Sequence, residues 1–147
     1  MKFFLSAFAL LIGSLGSLSA QSDYGNDGIL GTWKAVDHDD NMAKAYLKIY
    51  KKNGRYHAKI VDLLQRPDDT VCPKCPGAKQ NQPLVGMTIV DDLKPYKDYW
   101  SYGQILDPED GKTYKCNVYL ESRDKIRLRA YVGIPAVGQS QYWYRVK

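Results

Sequence analysis

Cys72-Pro73-Lys74-Cys75 is the closest pair of thiols in the sequence, and Cys116 lies well apart from it. Two cysteines at this spacing can close a tight disulfide ring, shuttle electrons or supply half the ligands of a metal site. Redox work needs a low-pKa thiol, typically at a helix start, and no βαβ context surrounds this pair. A structural zinc takes four ligands, so His38 and His57 would have to complete the set, and neither is near in sequence. No metal is therefore expected. Three cysteines in an oxidising compartment suggest one disulfide and one free thiol. Cys72 joined to Cys75 is one pairing. Cys116 joined to either of them is another, and it would pin the intervening loop against the body of the domain.

The other reactive types are sparse or local. Asp37-His38-Asp39-Asp40 has metal-friendly residues but is too short a run for a complete site, and it reads as a solvated turn. His57 alternates with Tyr56 and Ala58, which places it on a surface face. Asp107-Pro108-Glu109-Asp110-Gly111 carries three carboxylates without the length of a calcium loop. Its Pro presets φ and its Asp and Gly favour the bend, so it reads as a hairpin turn. There is no nucleophile elbow, Gly-rich phosphate loop or metalloprotease helix. Carboxylate pairs for glycoside hydrolysis are spatial rather than sequential, and nothing in the order singles one out. No catalytic residue and no cofactor is expected. Twelve tyrosines and three tryptophans are the stronger signal. Such side chains suit strand faces, and they also wall ligand pockets.

The elements that must position these residues read as strands throughout. Period-two alternation runs over Gly31–Asp37, Lys44–Lys51, Arg55–Leu64, Leu84–Val90, Tyr99–Leu106, Thr113–Glu121, Lys125–Val132 and Gln139–Val146. Asn53-Gly54 joins two of them and is the strongest short-range hairpin signal. Leu93–Asp98 has room for one helical turn, and no long helical stripe exists. The sequence thus predicts an all-β domain of about eight antiparallel strands, closed as an up-and-down barrel, with a two-sheet sandwich as the alternative. Gln65–Pro83 is the long loop, of the kind that is often functional.

Residues 1–20 stand apart from this pattern. Met1-Lys2 gives a basic start, Phe3–Ile12 an apolar run, and Gly13–Ala20 a small-residue end. That order reads as a cleaved secretory signal, which implies a periplasmic or secreted protein. The apolar run is short for a membrane span, and no second one follows, so no transmembrane segment is expected in the mature chain. Residues 21–28 read as a flexible lead-in, and residues 29–147 as one barrel domain. The formal charge is +5, with no block of like charges, and nucleic acid is not an expected partner.

Gly31-Thr32-Trp33 on the first strand and Arg145 near the end of the last resemble the signature of calycin, or lipocalin-like, barrels. There the Trp packs beneath a basic residue from the closing strand. A second resemblance covers nearly the whole chain after the leader. Gly31-Thr32-Trp33, Asn81–Gly86, Gly103–Tyr114, Arg129–Gly133 and Gly138–Val146 are similar to the bacterial exported family called domain of unknown function 2147. The run Asp107-Pro108-x-x-Gly111-Lys112-x-Tyr114 is the most specific of these. Tyr102 and Ala130 depart from the pattern, standing where glycines are usual. The resemblance implies an exported lipocalin-like barrel and carries over no catalytic residue.

Three functional readings follow. The first is a binding module for one small apolar or amphipathic ligand, with Trp100, Asp107, Lys112, Tyr114, Arg129 and Trp143 as candidate contacts. The second is a structural or envelope-interaction protein with a filled barrel. The third is a carboxylate-based hydrolase. Gly31, Trp33 and Arg145 are the expected closure of the barrel's end.

Overall fold

The computed structural model describes residues 24–147. The expected export signal lies outside them. Ten strands follow in order: β1 (Gly31–Val36), β2 (Ala43–Lys52), β3 (Arg55–Leu63), β4 (Val71–Cys72), β5 (Gln82–Pro83), β6 (Thr88–Tyr96), β7 (Tyr99–Asp107), β8 (Lys112–Ser122), β9 (Lys125–Tyr131) and β10 (Gly138–Arg145). Eight close into a barrel in the order β1-β10-β9-β8-β7-β6-β3-β2. Each neighbouring pair in it is antiparallel. β4 and β5 form a small separate ribbon within the connection from β3 to β6.

Alternation is what makes this sequence a barrel. Ala45, Leu47 and Ile49 of β2, Tyr56, Ala58 and Ile60 of β3, and Ile126 and Leu128 of β9 all point inward and are buried. Burying each large aliphatic side chain contributes roughly 1.5–3 kcal/mol. β1 then pairs with β10, with Trp33 opposite Arg145 and Ala35 opposite Trp143, so the barrel sheet has no free edge.

The two ends of the barrel differ. At one end the connections β2–β3, β6–β7 and β8–β9 are each two residues long. Asn53 and Gly54 both take positive φ there, the mirror-image turn that matches strand twist. At the other end lie the connections 37–42, 64–87, 108–111 and 132–137.

Four expectations need correction. The strand expected at Leu84–Val90 begins at Thr88 and runs to Tyr96. Leu84–Met87 is instead a turn, closed by Met87 N–H donating to the Leu84 carbonyl. Leu93–Asp98 holds no helical turn. It is the end of β6 and the hairpin at Lys97, whose positive φ suits a tight reversal. Val132 lies beyond β9 and is exposed rather than continuing its inward row. Finally, residues 24–28 of the expected lead-in form turns tied to the barrel, as described below.

The departure at Tyr102 has a structural counterpart. Its φ is 62°, within a bulge of β7 between Trp100 and Gly103. Non-glycine residues pay about 1 kcal/mol or more for that region. The side chain points outward, under the Lys94 ammonium at 4.6 Å from the ring centroid.

Candidate functional site

The closed end is assembled around Trp33. Its indole N–H donates to the Ile29 carbonyl at 2.9 Å, and the Arg145 guanidinium lies 4.3 Å from the ring centroid. Arg145 donates from Nη1 to the Leu30 carbonyl, from Nη2 to the Gly28 carbonyl and from Nε to the Arg123 carbonyl. One planar fork thus ties the incoming chain, the last strand and the β8–β9 turn together. A Cβ on Gly31 would stand 3.0 Å from Arg145 Nη1, which accounts for glycine at the head of the Gly-x-Trp triplet. The segment before it is anchored too. Trp100 Nε1–H donates to the Asn26 carbonyl, and the Tyr56 hydroxyl donates to Asp27, which also meets Lys51. The Tyr56 hydroxyl and the Lys51 ammonium hold the Asp27 carboxyl below its usual range.

The open end leads into a cavity of about 670 Å³. Its inner wall is apolar, with Ala35, Ala45, Leu47, Ile60, Ile105 and Ala130 upon it. Two amides interrupt that wall, Gln139 and Gln141 of β10. Gln141 Oε1 accepts the Trp143 indole N–H at 2.8 Å, so the buried Trp143 fixes the amide's orientation. The rim carries Asp37, Asp39, Asp107, Glu109 and Asp110. Of the rim's cations, Lys44 is held by Asp40 and Arg66 by Glu109. The mouth is therefore acidic on a chain whose formal charge is +5.

Asp107 is the distinctive carboxyl of this rim. Burial pushes its pKa up, and the neighbouring charges of Asp110, Glu109 and Asp37 push the same way. Its Oδ1 accepts the Glu109 N–H. Asp110 behaves oppositely, because the Tyr114 hydroxyl and the Lys112 N–H donate to it and lower its pKa. The most specific sequence run thus builds one half-buried acid and one well-solvated acid beside the same mouth.

The connection from β3 to β6 braces this turn. Cys72 and Cys75 are disulfide-bonded, which settles the open pairing, and Cys116 is free and buried in the barrel. Burial pushes the Cys116 thiol up to about 12, the setting of an inert core residue. Cys72 Sγ approaches the Pro108 carbonyl at 3.7 Å. A Cβ on Gly111 would come 1.9 Å from the Lys74 carbonyl oxygen, and Gly111 has a φ of +71°. Only glycine fits both constraints.

Of the candidate ligand contacts, Asp107 and Tyr114 lie on the cavity. Trp100 and Trp143 are buried in the core with their indole N–H groups occupied by protein acceptors. Lys112 is exposed and outside the cavity lining. Arg129 faces outward, donating to the Pro135 and Ala136 carbonyls and to Ser140 Oγ. The period of β9 explains this, since Arg129 alternates with the inward Leu128 and Ala130. Gln139 and Gln141 escape an apolar-pattern reading of the sequence, which passes over amides. Their even spacing from Trp143 on the same strand is the signal that places them on its inward face.

This geometry defines a class of protein: a closed eight-stranded antiparallel barrel with one plugged end and one open end. A solved structure with the same fold is the Helicobacter pylori protein HP1028, described as belonging to the lipocalin family. It superposes with a TM-score of 0.72 at 18% identity, covering 80% of this chain and 82% of that one. A family model described as an uncharacterized protein conserved in bacteria (DUF2147) matches residues 31–145, and the chain belongs to that family. No curated protein matches the sequence.

Proposed function

We propose that this barrel binds one small apolar or amphipathic molecule through its open end. The observation that carries the reading is the cavity of about 670 Å³, apolar within and polar at the rim. That volume falls within the roughly 300–1,000 Å³ of small-molecule sites. The apolar part of a ligand packs against Leu47, Ile60 and Ile105, with Gln141 and Gln139 available for one polar contact. A neutral or basic head group suits the acidic rim better than an acidic one.

Titration with an uncharged naphthylamine probe tests this. Saturable micromolar binding is expected. Ala130→Leu fills part of the cavity and should weaken that binding roughly tenfold or more, while changing stability by about 1 kcal/mol at most. A linear, non-saturating signal with the native protein would defeat the reading.

A further inference from the structure

The β9–β10 connection is the most apolar exposed feature among the described residues. Val132, Ile134 and Val137 are 72%, 60% and 70% exposed, within a tip, Val132–Val137, that has no charged or polar side chain. Exposed aliphatic clusters on a protein surface need an explanation. The tip is also held in shape. Val137 N–H donates to the Ile134 carbonyl across Pro135-Ala136, forming a turn. Arg129 reaches from β9 to donate to the Pro135 and Ala136 carbonyls, at 2.9 Å and 3.4 Å. Three successive backbone carbonyls therefore already have partners, which lowers the cost of taking them out of water.

The surroundings are graded. Behind the tip stands Tyr131, directly opposite Lys115 of β8 in the register. Lys115 is exposed and has no ion pair among the described residues. An apolar point, then an aromatic ring, then a cation is the order in which side chains meet acyl chain, interface and phosphate. The tip is continuous with the cavity, because Val132 and Val137 belong to both. The connections beside it carry Asp37, Asp39, Glu109 and Asp110, and Asp107 ends β7 next to them. Strongly anionic lipid is repelled by them, and zwitterionic lipid is not.

We propose that the Val132–Val137 tip is a lipid-surface contact that seats the mouth of the barrel on a zwitterionic bilayer. The contact does not require an occupied cavity, so it goes beyond the ligand reading. The test is flotation of the protein as isolated from its cells, its N-terminus first read by intact mass, with phosphatidylcholine vesicles. Ile134→Asp and Val137→Asp should each reduce the floating fraction roughly tenfold or more. Ile134 is exposed and outside the cavity lining, so Ile134→Asp should leave the melting curve and naphthylamine binding unchanged, whereas Val137 also lines the cavity and its variant is read by flotation alone. Failure of probe binding in the native protein leaves this proposal standing, and failure of flotation leaves the cavity reading standing. Equal flotation of native and variant proteins would overturn it. So would stronger flotation with vesicles containing one-fifth phosphatidylglycerol, undiminished in the variants, since that places the contact on cations elsewhere on the surface. Loss of a dimer in vesicle-free solution on Ile134→Asp, with no vesicle binding by the native protein, would assign the tip to a second copy instead.

Discussion

The closed and open ends of the barrel use the same kinds of residue in opposite ways. At the closed end every prominent polar group has a protein partner: Arg145 donates to three carbonyls, and the Trp33 and Trp100 indoles to two more. At the open end Gln139 and the carboxylates of Asp37 and Asp107 border an unfilled space. Short turns bring the first end together, and long connections keep the second apart. The difference teaches where stability and binding are separated in one small domain. The closed end holds the first strand to the last, and the open end is free to vary its loops.

The comparison is broken most directly at Arg145. Arg145→Ala removes a cation–π contact and leaves three carbonyls without their donor, a loss of about 3–5 kcal/mol in chemical denaturation. Probe affinity of the protein that remains folded should be unchanged. A loss below about 1 kcal/mol would mean that the closed end does not anchor the fold. Gly111→Ala comes next, at roughly 2–3 kcal/mol, because a Cβ there meets the Lys74 carbonyl and sits at positive φ. Unlike the first variant, it should also alter probe affinity, since it displaces the turn that carries Asp107. A midpoint shift without any change in affinity would detach the Cys72–Cys75 brace from the site.

The smallest effect lies at Asp107. Its carboxyl is held above the ordinary range, mainly by burial. The folded state therefore keeps its proton to higher pH than the unfolded chain does. This penalty is absent below the unfolded pKa, grows as pH rises through the window between the two values, and is fully present above the folded one. Asp107→Asn removes it while keeping an oxygen for the Glu109 N–H. The variant should be more stable than the native protein at neutral pH, by less than about 1 kcal/mol. The difference should vanish at strongly acidic pH. Urea midpoints measured across the acid range check the sign. A variant less stable at neutral pH would show that the charged form is favoured in the fold.

Much of this architecture is local information. The alternation of Ala45, Leu47 and Ile49 against Lys44 and Lys48 assigns faces before any strand has a partner, because the side-chain period of a strand is two. Asn53-Gly54 and Asp107–Gly111 announce their turns by backbone preference. The pairing of Trp33 with Arg145 follows from their places on the first and last strands once closure is assumed. Where the alternation is weak, the pattern does not fix the element. Leu84–Met87 carries apolar residues that pack against the barrel from a turn, and hydrophobicity alone does not distinguish that from a strand.

The sequence by itself determined the class, the strand faces and the closing residues, since each rests on interactions between neighbours or on a two-residue period. Only the tertiary structure decided which aromatics fill the barrel and which residues are left around a space. Trp100, Trp143 and Tyr114 have similar contexts in sequence, yet two are core and one lies on the cavity. The same holds for the thiols, where Cys116 is sealed inside and Cys72 meets Cys75. A cavity is volume that many distant side chains fail to fill, so its location depends on barrel curvature and on the register of all eight strands, and no single stretch of chain encodes it.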